Sequence, residues 1–375
     1  MARPTPVPTA PSAPSAIVTE LVRWYLGARR DLPWRRTRDP YAVWISETML
    51  QQTRVETVVP YYERFLAELP DVQSLAEAPE ERVLSLWSGL GYYRRARMLR
   101  AAAARVVAEH GGRLPAEATQ LLGLPGIGAY TAGAVASIAF GQREALVDGN
   151  VARVLSRLFA IESDPKSAVG RSRVWTVARE LVALVEGSPG DWNQALMELG
   201  ATVCVPGEPR CGVCPLALRC EARARGLASE LPRSAPKPAP TSVQRVAIVL
   251  ASTTEVVLAR RRPEGLFGGL WEPPIAPGKD PAPLAKLLRV ERRSLVPSGR
   301  VAHVLSHRRM QIAVLRAPIG RRRRWPLPPD YDAIEVVPLA EVLSRAHSSL
   351  ARKVLAAARL LALAKSARRG LRSWR

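Results

Sequence analysis

The stretch from Leu121 to Asn150, LLGLPGIGAYTAGAVASIAFGQREALVDGN, constrains this chain more than any other. A short apolar run ends at Gly123. The turn Leu124-Pro125-Gly126-Ile127-Gly128 reverses the chain, and a second apolar run extends from Ala129 to Phe140. This pattern predicts two short helices joined by a tight reversal. Gly126 and Gly128 take side chains away where backbone amides face outward. Such amides at a helix N-terminus form a site for an anion such as a phosphate. The motif is a helix-hairpin-helix. Asp148-Gly149-Asn150 then places a carboxylate on a turn at the head of another helix. A plain helical hairpin followed by an N-capping Asp or Asn has the same local signature, so the rest of the chain decides its meaning.

The charge balance points to a polyanion. The formal net charge is +22 over 375 residues, and the basic excess is nearly all Arg, which favours nucleic acid. A GC-rich coding bias, seen in abundant Ala and Pro, contributes as well. No apolar run reaches membrane-spanning length and no secretory apolar core is present, so the cytoplasm is the expected location. Residues 1–16 read as a disordered tail.

The helical grammar continues through residue 226. Ile17 to Arg30 is an amphipathic helix with Ile17, Leu21, Trp24 and Tyr25 on one stripe. Arg30 to Arg36 is a loop rich in Arg and aromatic character. Pro40 opens a helix that carries Val43, Trp44, Ile45 and Glu47. Thr53-Arg54-Val55-Glu56 has the form of a capping box, which leaves Gln51 and Gln52 exposed at a helix junction, able to enter a groove. Helices are expected over Glu80–Trp87 and Arg94–Glu109. Between them, Ser88-Gly89-Leu90-Gly91-Tyr92-Tyr93 could bring an aromatic ring to a base stack; buried tyrosines under a turn would look the same. Val151–Phe159, Arg171–Val185 and Trp192–Gly200 complete the helices. His110 and His347 have no partners in sequence and read as surface residues.

The chain's four cysteines, Cys204, Cys211, Cys214 and Cys220, fall in one loop. Their clustering favours a metal site over disulfides, and both zinc and an iron–sulfur cluster fit. Arg210, Arg219 and Arg223 flank the ligands and offer a basic surface. Residues 227–242 form a Pro-rich linker. Beyond it the grammar changes from helices to strands. Strands are expected over Val243–Leu250, Glu255–Arg260, Gln311–Arg316 and Ile334–Val337, and helices over Pro283–Val290, Leu339–Arg345 and Ser349–Leu363. Residues 243–364 therefore read as an α+β domain, followed by a basic tail, residues 365–375.

Together these segments resemble the helix-hairpin-helix DNA glycosylase superfamily with an iron–sulfur loop, and within it the MutY family of adenine glycosylases. The resemblance rests on LPWR (Leu32–Arg35), SETMLQQT (Ser46–Thr53), GLGYY (Gly89–Tyr93), LPGIGAYTA (Leu124–Ala132), VDGNV (Val147–Val151), MELGA (Met197–Ala201) and the cysteine loop. GLFGGLWE (Gly265–Glu272) and HVLSH (His303–His307) make the carboxy-terminal domain similar to a MutT-like, or Nudix, fold. The family implies a mainly helical glycosylase domain over 17–226 with its cluster loop at 204–220, and a Nudix-like recognition domain over 243–364.

The same resemblance implies the chemistry. Hydrolysis of an N-glycosidic bond needs an acid for the leaving base and a carboxylate beside an oxocarbenium-like sugar. Glu47 would protonate adenine and Asp148 would stabilise or transiently bond the sugar C1′. Asn150 would position Asp148 or water, and Tyr130 would sit against the same centre. Endonuclease III-like relatives carry a Schiff-base Lys at the position of Tyr130, so a monofunctional enzyme is expected here. Arg30, Leu32, Trp34, Arg35 and Gln194 would hold the flipped adenine. Gln51, Gln52, Thr53, Leu90, Tyr92, Gly126 and Gly128 would contact DNA, with Gln52 and Tyr92 wedged beside the opposite base. Leu305, Ser306 and His307 would recognise 8-oxoguanine; the family usually has Phe where this chain has Leu305, and WEFP where it has Trp271-Glu272-Pro273-Pro274. A 4Fe–4S cluster on the four cysteines, duplex DNA with adenine opposite 8-oxoguanine or guanine, and a monomeric protein are further implications. Hydrolysis of nucleoside polyphosphates by the Nudix-like domain is disfavoured, because Pro283–Ser294 carries only Glu291 where that activity needs several Mg²⁺-binding glutamates. A non-catalytic iron–sulfur DNA-binding protein is disfavoured by the joint presence of Glu47 and Asp148.

Overall fold

The computed structural model describes residues 14–235, 239–305 and 307–364. By compactness the described chain forms two units. One holds the residues up to Ala76 and those from Ala101 to 235; the other holds Glu77–Arg100 and the residues from 239 on.

The first unit is helical. Its helices are α1 (Pro14–Ala28), α2 (Pro40–Leu50), α3 (Val55–Glu68), α4 (Val72–Glu77), α7 (Ala118–Leu122), α8 (Ala129–Ile138), α9 (Gly149–Leu158), α10 (Ala168–Ala183), α11 (Pro189–Thr202) and the short α12 (Glu221–Ala224). Between α4 and α7 the chain passes through α5 (Glu80–Leu86) and α6 (Arg94–His110), which carry it into the second unit and back. Within the first unit α11 packs against α1, α8 and α9. The sequence permits this closeness at Gly200, where an added Cβ would stand 2.6 Å from Asn150 Cβ. Helix α2 is buried from Tyr41 to Met49. Asp39 caps it by accepting from Tyr41 N and Ala42 N, with Pro40 at the first helical position.

The second unit is built on one mixed sheet: β1 (Thr241–Ala251), β2 (Glu255–Arg261), β3 (Trp271–Glu272), β4 (Ile275–Pro277), β5 (Val296–Val304), β6 (Arg308–Pro318) and β7 (Tyr331–Pro338). The strand order is β3-β2-β1-β6-β5, with β4 on β1 and β7 on β2. β1 and β6 run parallel along their full length, with Arg245 opposite Ile312, while the other pairs are antiparallel. Alternation along β1 sends Ala247 and Val249 to one face and Val246, Ile248 and Leu250 to the other. Helix α14 (Ser349–Ala357) covers the first face and α13 (Ala282–Leu287) the second. With both faces covered, the second half of β1, Val246–Ala251, is one continuous apolar run.

Several expectations are corrected. Arg54, not Thr53, is the N-cap of α3, and no side chain caps it; Thr53 Oγ1 instead donates to Gln51 O. Helix α1 begins at Pro14, inside the expected tail. Leu339–Arg345 forms turns rather than a helix. His347 is buried rather than exposed, and burial lowers its pKa. Strand β5 and helix α4 carry no clear signal in the sequence. The tail at residues 1–13 and the basic segment 365–375 lie outside the described residues.

Candidate active site

Glu47, Tyr130, Asp148, Asn150, Arg30, Leu32, Trp34, Arg35 and Gln194 line one cavity of about 150 Å³ in the first unit, with Thr53 at its wall. Three helices and a loop bring them together. Glu47 comes from the interior of α2, Tyr130 from the first turn of α8, and Asp148 caps α9. Leu32, Trp34 and Arg35 belong to the loop that follows α1. Gln194, Met197, Glu198 and Ala201 recur at helical spacing on α11 and close the far side.

Glu47 is 4 % exposed, on a helix whose other buried polar side chains, Ser46 and Thr48, bond to carbonyls of their own helix. Burial pushes its carboxyl up to about 7. The hydrogen bond from the Tyr130 hydroxyl works against that rise, the nearby Asp148 adds to it, and Arg35 opposes it. Tyr130 is itself raised well above its ordinary value by burial and by the two carboxylates. Its hydroxyl also lies 3.6 Å from Met197 Sδ.

Asp148 is held by its cap. Oδ1 accepts from Val151 N at 2.7 Å and Oδ2 accepts from Asn150 Nδ2 at 3.0 Å. Burial raises its pKa, and these two bonds oppose the rise. The N-terminal end of α9 also favours the carboxylate. Asn150 is oriented in turn by Arg153, whose Nη2 donates to Asn150 Oδ1 at 2.9 Å and to Gly200 O at 2.7 Å. Arg153 Nε donates to Cys204 O at 2.8 Å. A continuous hydrogen-bonded path therefore runs from Asp148 to the cysteine loop.

Glu198, Met197 and Arg153 are site residues that sequence reasoning missed. Glu198 is 1 % exposed and binds both arginines: Arg30 Nε at 2.8 Å, Arg30 Nη2 at 2.8 Å and Arg35 Nη2 at 2.7 Å. Burial alone would raise its pKa, but the bonds from Arg30 and Arg35 outweigh burial and hold it at about 2. The two guanidiniums expected to reach for a base are thus anchored from behind. The only sequence signal was helical spacing on α11, with Glu198 four residues after Gln194.

The hairpin turn between α7 and α8 opens outward. Gly126 has φ +76°, while Leu124 and Ile127 turn inward as buried anchors. Space is open where a Cβ on Gly128 would lie. Gln51 Nε2 donates to Thr131 Oγ1 at 3.1 Å, tying α2 to α8. Gln52 is exposed at φ +58°. Leu90 and Tyr92 belong to the second unit: Tyr92 is 48 % exposed at φ +48°, whereas Leu90 is buried. Leu305 is half-buried at the β5–β6 connection and His307 beside it is exposed; Ser306 lies outside the described residues.

All four cysteines are free and line one cavity of about 30 Å³ together with Arg157. Among the described residues no three His, Cys, Asp or Glu side chains are grouped to hold a single metal ion. Burial pushes Cys214 up to about 11, and the other three sulfurs add to the rise. Four thiolates here therefore need a positive centre to neutralise them. The buried Arg157 lies 3.4 Å from Cys204 Sγ and spans Val205 O, Gly207 O and Leu231 O. Of the three arginines expected to give this loop a basic surface, Arg210 and Arg223 are exposed. Arg219 is paired with Glu20 at 2.6 Å, and Arg223 donates to Ala217 O.

In the second unit, Glu291 pairs with the exposed Arg293 at 2.6 Å. Glu272 is buried against Arg261 Nε and Tyr331 OH, each at 2.7 Å. Among the described residues no helix is long and apolar enough to cross a membrane.

Both parts of the chain match known families. Residues 45–179 match the HhH-GPD superfamily of base excision DNA repair proteins, and residues 245–357 match the NUDIX domain. The adenine DNA glycosylase of Schizosaccharomyces pombe is 35% identical over 362 residues, covering 76% of this chain and 78% of that protein. The human adenine DNA glycosylase is 53% identical over 215 residues, covering 55% of this chain and 39% of the human protein. The chain thus spans less than half the length of the human relative and of the rat one, of which 45% is covered. A thermostable thymine-DNA glycosylase of known structure is 31% identical with a TM-score of 0.52, covering 56% of this chain and 97% of that one.

Proposed function

This chain belongs to the adenine DNA glycosylase family, and from that premise we propose that it removes adenine from duplex DNA where adenine stands opposite 8-oxoguanine or guanine. One observation carries the reading. A buried carboxyl near neutrality, Glu47, shares a cavity with a second carboxylate, Asp148, that is hydrogen-bonded in its ionised form. Two carboxyl groups with different environments divide acid and base work between them.

Adenine leaves the stack and enters the cavity, at a cost of a few kcal/mol for unstacking and unpairing. Gln194 offers an amide to its donor–acceptor edge, and Trp34 and Leu32 supply apolar walls. Glu47, protonated near pH 7, gives its proton to the departing base. The Tyr130 hydroxyl donates a hydrogen bond to the carboxylate left on Glu47 and stabilises its charge. Asp148 faces the sugar as positive charge develops at C1′, and Asn150 with Val151 N fixes its oxygens. Water then completes the hydrolysis. No lysine lines the cavity among the described residues. Without an amine to form a Schiff base, the sugar–phosphate backbone is left intact.

Four cysteines that line one cavity, in a loop that resembles the iron–sulfur loop of this family, support a 4Fe–4S cluster. When bound, the cluster supplies a rigid staple for the loop; Arg153 carries that rigidity to Asn150. In the second unit, Leu305, Ser306 and His307 are the residues proposed to read 8-oxoguanine.

Single-turnover assays on duplexes with adenine opposite 8-oxoguanine, guanine or thymine test the reading. Adenine release fastest opposite 8-oxoguanine, with strand breaks only after alkali, is expected. Asp148→Asn should lower the rate constant on the order of a thousandfold while DNA affinity stays within about threefold. Full activity in that variant, or strand cleavage without alkali in the parent, contradicts the mechanism.

A further inference from the structure

The turn that carries Tyr92 sits in a demanding conformation. Gly89 has φ +112°, Gly91 φ +75° and Tyr92 itself φ +48°. An aromatic L-residue holds a left-handed backbone only where its surroundings fix it. Part of that support is local: Trp87 Nε1 donates to Gly91 O at 3.1 Å, and Gly89 N donates to Tyr93 Oη at 3.2 Å. Further support comes from more than 250 residues along the chain, within the same unit. Tyr93 Oη donates to His347 O at 3.0 Å, and His347 N donates to Ser88 Oγ at 3.0 Å. Both backbone groups of one residue are thus spent on the turn. One residue cluster earlier, Ser85 Oγ donates to Ser344 O at 2.7 Å.

The segment that makes these bonds, Ser344–Ser348, has an extended connection to the sheet. Trp271 N donates to Ala346 O at 2.8 Å, and Trp271 Nε1 donates to Glu81 Oε1 at 3.0 Å on α5. Arg345 stacks over the Trp271 ring at 5.0 Å and reaches Glu81 at 3.3 Å. Ala346, His347 and Ser348 are buried. A surface loop with no task would leave these carbonyls to water.

We propose that Ser344–Ser348 is a positioning strap, anchored on Trp271, that fixes the Gly89–Tyr93 turn and so sets the direction in which Tyr92 is presented to the DNA. The strap acts through the turn and touches no reacting atom; Tyr93 and Ser88 are its positioning residues. This inference rests on the reading of Tyr92 as the residue inserted beside the base opposite adenine. It gives the sheet-bearing unit a second task besides recognising that base: it aims the wedge that opens the stack.

The test uses the full-length chain and the variants Tyr93→Phe, which removes the hydroxyl shared by Gly89 and His347, and Ser88→Ala, which removes the acceptor for His347 N. Trp271→Phe loosens the anchor from the far side. Hydrogen exchange of the Gly89–Tyr92 amides, measured without DNA, should quicken at least about fivefold in each folded variant, while amides of the central strands keep their protection. A 2-aminopurine placed next to the opposite base reports insertion. Its fluorescence response should fall by about half or more, and single-turnover adenine release about tenfold. Unchanged exchange at the turn in both Tyr93→Phe and Ser88→Ala overturns the strap. Faster exchange with an unchanged fluorescence response overturns its role in aiming Tyr92. If the parent chain releases no adenine from any duplex, the enzymatic reading fails while the exchange experiment still decides the strap.

Discussion

Glu47 shows how a single side chain acquires its acid–base character from its surroundings. A carboxyl with an ordinary pKa of 4.5 is carried by burial up to about 7. It is protonated more readily in the fold than in the unfolded chain. Its contribution to stability is therefore full below about 4.5 and is lost as pH rises through about 7. In the proposed mechanism the same titration governs catalysis, because the acid must hold its proton. Adenine release should fall about tenfold per pH unit above that value. The Tyr130 hydroxyl favours the ionised form, so Tyr130→Phe should move this alkaline limb to higher pH whatever it does to the maximum rate. A pH–rate profile on the 8-oxoguanine duplex measures this, and a limb that stays in place or moves down contradicts the assignment. Glu47, Asp148 and Tyr130 were legible in the sequence because each stands in a distinctive local string. Glu198 was not. Its role is to neutralise Arg30 and Arg35 from a helix 163 or more residues away, and no local string records a long-range ion pair. His347 was misread for the same reason: its backbone partners lie in another part of the chain.

Among the elements, those with strong periodicity matched expectation and those governed by tertiary bonds did not. The hairpin α7–α8, the Asp148 cap of α9 and the strands β1 and β2 follow from apolar spacing, glycine placement and capping chemistry. The residues Leu339–Arg345 have helical composition but follow Pro338. They close only single turns, with Glu341 N on Pro338 O and Ser344 N on Glu341 O, while Leu339 N bonds to Thr254 O and Ser344 O accepts from Ser85 on α5. Tertiary bonding overrides propensity there. The cysteine loop is the element with the most specific prediction. The purified protein should be brown and contain iron and sulfide in equal amounts, measured by absorption and metal analysis. A colourless protein with stoichiometric zinc contradicts the cluster. Replacing Cys214 by Ser should lower adenine release on the order of tenfold or more while far-ultraviolet circular dichroism keeps most of the helical signal, since Arg153 couples the loop to Asn150.

For the whole molecule, the interlacing of the two units changes what a truncation reports. Deleting residues 243–375 removes the β5–β6 connection at Leu305 and His307, and it also strips Glu77–Arg100 of the partners that hold the Tyr92 turn. The deletion should therefore lower the preference for 8-oxoguanine over guanine and reduce the rate opposite guanine as well. His307→Ala should lower the preference, by about tenfold at most, and leave the rate opposite guanine within about twofold. Single-turnover rates on the two duplexes separate these outcomes; a truncated chain with the parent's ratio refutes the recognition role. The interlacing also has a consequence in time. Ser85 meets Ser344 across 259 residues of chain, and Tyr93 meets His347 across 254. Contacts so distant form late, and during synthesis α5 and its turn emerge long before the strand and strap that complete them. The part of the protein proposed to part the bases is thus the part finished last. A ribosome that stalls before residue 348 leaves behind a chain with its proposed catalytic carboxylates made and the proposed means of delivering a base to them unfinished.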